Sequence, residues 1–60
     1  MSIQEITNQA ESAVALMAAG FPWSAITTGD DAAVFWIIRN NGLMSPDEMR
    51  AAGLTQAHRA

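Results

Sequence analysis

The sequence predicts an all-α fold, a small three-helix module with a central apolar helix, and three observations carry that reading. Ala32 to Ile38 is an unbroken apolar run. A glycine followed by a large apolar residue occurs three times, at Gly20-Phe21, Gly42-Leu43 and Gly53-Leu54. Such a pair ends helices, because glycine takes the left-handed position and the next residue packs back over the last turn. Capping residues stand upstream of each stop, at Ser2, Thr28 and Ser45.

The first helix is expected over Ser2 to Ala19. Ser2 and Glu5 have the spacing of a capping box, and Met1 is placed to staple onto Ile6. Ile3, Ile6, Ala10, Ala13, Val14 and Met17 recur at helical spacing and mark the buried face, opposite Gln4, Asn8 and Glu11. Gly20 ends the helix and sets Phe21 against Leu16. Pro22 forbids its continuation, so residues 21–28 read as a turn.

The central segment needs its flanks to be read. Val34 to Ile38 is rich in β-branched and aromatic residues, which favour strands. Periodicity over so short a run does not separate a buried strand from a buried helix. Thr28 with Asp31 fits a capping box, and Asp30 and Asp31 place negative charge at a helix N-terminus. Gly42 and Leu43, set against Ile38, supply the stop. The alternative is an α-ββ-α fold, with a hairpin over residues 24–38 pairing Ser24–Thr28 with Val34–Ile38. As a helix, the segment groups Val34, Ile37 and Ile38 with Ala33 on one face and points Phe35 and Trp36 elsewhere.

The third helix has the clearest start. Ser45 is the cap, Pro46 takes the first helical position, Glu48 completes the box, and Met44 can staple onto Met49. Two turns later Gly53 stops it near Ala52. Leu43, Met44, Met49, Ala52 and Leu54 are expected to cover the central helix. One domain thus spans residues 1–54, with a flexible tail over 55–60 that holds His58 and Arg59.

Two segments resemble ubiquitin-associated domains. Leu16-Met17-Ala18-Ala19-Gly20-Phe21-Pro22 is similar to that family's Met-Gly-Phe loop, and Gly29 to Ile38 to its third helix. The resemblance implies a compact three-helix module with a protein-binding patch. The chain departs from the pattern between the motifs, where a second helix would be about a turn too short, and in the extra helix that follows. No functional residue is carried over.

Composition bounds the function. A 60-residue chain buries only about 60% of its unfolded surface and is marginal alone. It has no cysteine, so neither a disulfide nor a thiolate metal site stabilises it. Half of it is apolar. Phe21, Trp23, Phe35 and Trp36 compete for one small core, and each covers roughly 150–250 Å² when buried. Some are left outside, which points to a protein partner or a homo-oligomer. Net charge is −3 with three arginines and no lysine. Nucleic acid and anionic membranes therefore lack their usual attraction. Ser12 to Gly29 is uncharged, but Gly20, Pro22 and several hydroxyl residues break it up as a membrane span.

No catalytic, metal or cofactor constellation is present. His58 stands alone, and one imidazole is not a site. Asp30-Asp31 and Asp47-Glu48 lack the alternating spacing of a calcium loop and suit helix N-termini instead. The chain reads as a non-enzymatic, cytoplasmic interaction module without a small-molecule substrate. The interface residues expected are Trp23, Phe35, Trp36, Met44 and Met49. Trp23 has two readings, as a plug closing the bundle and as an interface anchor, a role in which tryptophan is enriched. Two function classes follow: a self-associating subunit of an assembly, of the kind a compact phage genome encodes, or a soluble adaptor or inhibitor of a host protein.

Overall fold

The computed structural model describes residues 2–55. It holds three α-helices: α1 (Ile3–Ala18), α2 (Asp31–Asn41) and α3 (Pro46–Ala51), with a 3-10 turn at Trp23–Ala25 between the first two. Among the described residues there is no strand, so the hairpin over residues 24–38 does not form. Val34 to Ile38 lies inside α2, where the caps and the glycine stop outweigh strand propensity. The tail residues 56–60, with His58 and Arg59, and the Met1 staple lie outside the described residues.

Each helix begins on a side-chain cap. The Ser2 hydroxyl accepts from the Glu5 amide at 3.2 Å. At α3 the box is reciprocal: Ser45 Oγ accepts from the Glu48 amide at 3.2 Å, and Glu48 Oε1 accepts from the Ser45 amide at 3.0 Å. At α2 the cap is Asp30, not Thr28. Asp30 Oδ1 accepts from the Ala33 amide at 3.2 Å, while the Thr28 hydroxyl donates to Asp31 Oδ1 at 2.6 Å. Gly29, with φ of 88°, turns the chain between them, so the threonine buttresses the cap from outside the helix.

The three stops share one hydrogen bond. The amides of Phe21, Leu43 and Leu54 donate back to the carbonyls of Leu16, Ile38 and Met49, at 3.1, 3.1 and 2.7 Å. These are the pairs the glycine pattern predicts. The bond satisfies carbonyls that a helix end otherwise leaves open.

Packing then follows from the apolar faces. Ala10, Ala13 and Met17 of α1 are buried with Val34, Ile37 and Ile38 of α2. The two alanines let the helices approach closely, and α1 against α2 is the principal helix contact. Trp23, Ile26 and Leu54 complete this core. Trp23 is only 2% exposed, so the plug is the role it takes in the folded chain. Its amide donates to the Ala52 carbonyl at 2.9 Å, which ties the turn to the end of α3. The helix α3 buries no residue fully; Met49, with Ala52 just beyond it, leans on the core from outside. Ile3 departs from the expected stripe and is 69% exposed. It occupies the first position of α1, one turn ahead of half-buried Ile6, where no described element covers it.

Candidate interaction surface

With the core complete, apolar groups remain on the outside. Trp36 is 58% exposed. It projects from the side of α2 away from Val34, Ile37 and Ile38, as the helical period requires. Its carbonyl accepts from Asn40 Nδ2 at 2.9 Å, and the Ile37 carbonyl accepts from Asn41 Nδ2 at 3.1 Å. The two asparagines thereby cover carbonyls near the C-terminal end of the helix.

Phe35, Met44 and Met49 come together elsewhere. They line a groove of about 480 Å³ between α2 and α3, with Leu54 also contributing and Arg39 and Arg50 at its sides. All three are half-buried and packed on the core. Met44 also borders a second groove, of about 270 Å³, where Val14 and Phe21 face Glu48 and Ala51. It forms the ridge between the two hollows. Of the five residues expected at the interface, three therefore share one groove, Trp36 stands apart on the outer face of α2, and Trp23 is enclosed.

Besides Ile3 and Leu43, two exposed apolar residues near the end of α1 are outside the set expected at an interface. Phe21 is 53% exposed and Leu16 is 41% exposed. Their backbone bond forms as the glycine motif requires, but the pair lies on the outside. The available signal is the helical wheel, which puts Leu16 on the edge of the Ala13 and Met17 stripe, toward Gln9 and Ser12.

The charged groups are engaged mainly at helix ends. Asp30 caps α2, Glu48 caps α3, and Arg50 pairs with Asp47 on the exposed surface of α3. The Ser45 amide, and secondarily its hydroxyl, hold the Glu48 carboxyl below the ordinary glutamate range. Arg39, in the last turn of α2, is exposed and forms no ion pair with another described residue. No three histidine, cysteine, aspartate or glutamate side chains among the described residues converge as metal ligands. No helix is long and apolar enough to cross a membrane.

Comparison with models of known protein families, with curated proteins and with solved structures finds no match. The structure itself defines the class of the molecule, a small helical module that leaves several large apolar side chains exposed.

Proposed function

We propose that this chain is a non-enzymatic interaction module that associates with itself in the cytoplasm, as a homo-oligomer or as a repeated subunit of a larger assembly. The observation that carries the reading is Trp36. An indole that is 58% exposed on an all-apolar segment, beside a core already closed by Trp23, is surface awaiting cover. Phe21 and Leu16 extend the apolar exterior at the end of α1.

A second reading rests on the groove between α2 and α3. Its apolar floor of Phe35, Met44 and Met49, with Arg39 beside it, suits a soluble adaptor that docks on another protein. The two readings separate on the mass of the isolated chain. Sedimentation equilibrium across a concentration range should give a weight-average mass that rises well above the 6.4 kDa of one chain. A constant monomer mass up to millimolar concentration overturns self-association and leaves the adaptor.

A further inference from the structure

Among the described residues the only cationic side chains are Arg39 and Arg50, and both line the groove between α2 and α3. Arg39 stands one turn beyond Phe35 on α2, and Arg50 follows Met49 on α3. No acidic residue lines this groove. Asp30 and Asp31 lie at the far end of α2, and Glu48 borders the other groove. Asp47 pairs with Arg50, so the uncompensated charge is that of Arg39, whose guanidinium bonds no described residue. Capping does not engage it, because the carbonyls of Trp36, Ile37 and Ile38 take donors from Asn40, Asn41 and Leu43. On a chain of net charge −3, the apolar groove is thus the one place that presents positive charge among the described residues.

Deepening the docking reading of this groove, on which it rests, we propose that the occupant is an acidic apolar segment of another protein. Its bulky apolar side chains lie on Phe35, Met44 and Met49, and a carboxylate beside them pairs with Arg39. Methionine adapts its shape to what it covers. Arginine offers a carboxylate two parallel donors, which fixes the register of the segment. The net charge of −3 repels such a segment at a distance, so the attraction acts at contact and slows dissociation more than it speeds encounter. Residues 56–60 follow Thr55 at the edge of the groove, but their side chains include Arg59 and no acid, which sets like charge beside like. Trp36 takes no part, so the pairing is independent of any association through the outer face of α2.

The probe is a ribosome-displayed library of random peptides, selected on the intact chain. The binders should combine bulky apolar residues with aspartate or glutamate. A synthetic copy of the strongest should move the methyl resonances of Met44 and Met49 and spare that of buried Met17. Arg39→Gln, an exposed change that leaves the core intact, should weaken its binding about tenfold, and Arg39→Lys less. Binders without an acidic excess, or binding unchanged in Arg39→Gln, overturn carboxylate recognition while the docking reading stands. Binders that leave Met44 and Met49 unmoved, or no binders at all, overturn both. In the chain alone, methyl shifts that follow protein concentration place a second copy in the groove, and nuclear Overhauser contacts from Met44 or Met49 to residues 56–60 place the tail there. Either result overturns the proposal.

Discussion

The amide of Trp23 donates to the carbonyl of Ala52 at 2.9 Å, joining the turn after α1 to the end of α3. The bond sits beside the largest fully buried side chain, so the 3-10 turn is held from inside by packing and from outside by α3. The segment after Pro22 is thus part of the core rather than a connector.

Replacing Trp23 by Ala should therefore be severe. Tryptophan-to-alanine changes in cores cost about 3–5 kcal/mol, a large share of the total stability of a domain this small. The expected result is a loss of the cooperative urea transition. Trp23→Phe, which keeps most of the apolar volume, should retain a transition at a lower midpoint. A Trp23→Ala chain with a near wild-type midpoint would show that Trp23 is not the closing group.

Gly42 tests the stop signals. Its φ is 63°, in the left-handed region that side chains disfavour. A Cβ added there meets nothing within 4 Å, so the cost of substitution is conformational and not steric. Gly42→Ala should lower the unfolding free energy by about 1 kcal/mol. Gly42→Asn should cost less, because asparagine tolerates this conformation. Equal losses for the two variants would contradict a purely conformational cause.

The capping box of α3 sets a pH dependence. The carboxyl of Glu48 titrates below its ordinary value because the Ser45 amide and hydroxyl favour its ionised form. A carboxyl lowered in the folded state contributes stability that is present above its unfolded value, near 4.5, and is lost as pH falls through the lower folded value. The start of α3 should therefore loosen in acid. Ser45→Ala should move the Glu48 titration, followed by its side-chain carbon resonance, part of the way back toward normal, since the residue 45 amide remains. The substitution should also cost about 1 kcal/mol near neutral pH. A Glu48 titration identical in the two chains would mean the box does not persist in solution.

Local chemistry made the fold readable. The three glycine stops and the caps at Ser2 and Ser45 each depend on residues within a span of six, so sequence alone locates them. At α2 the box spacing picks out Thr28, but the turn at Gly29 leaves Asp30 to reach the free Ala33 amide. Burial was harder to read. Trp23 is equally apolar as plug or anchor, and its enclosure depends on Ala52 and Leu54, far along the chain. Ile3 and Leu16 fit the spacing or the pairing of buried residues, yet their exposure depends on where α2 and the turn leave α1 uncovered. Of the surface, Phe35, Met44 and Met49 could be named from sequence, but their meeting in one groove is a property of how α3 folds back.

Leu54 is 1% exposed and lies beyond the last helix. A polypeptide is made from its N-terminus, so α1 and α2 emerge first and wait for the residue that seals them. A product cut short at Arg50 would carry the N-cap of every helix yet lack Ala52, which accepts from the Trp23 amide, and Leu54, which shares the core with Trp23. Exposed apolar surface is what chaperones and proteases triage. Placing the seal beyond the last helix means that the core closes only after residue 54 has been made.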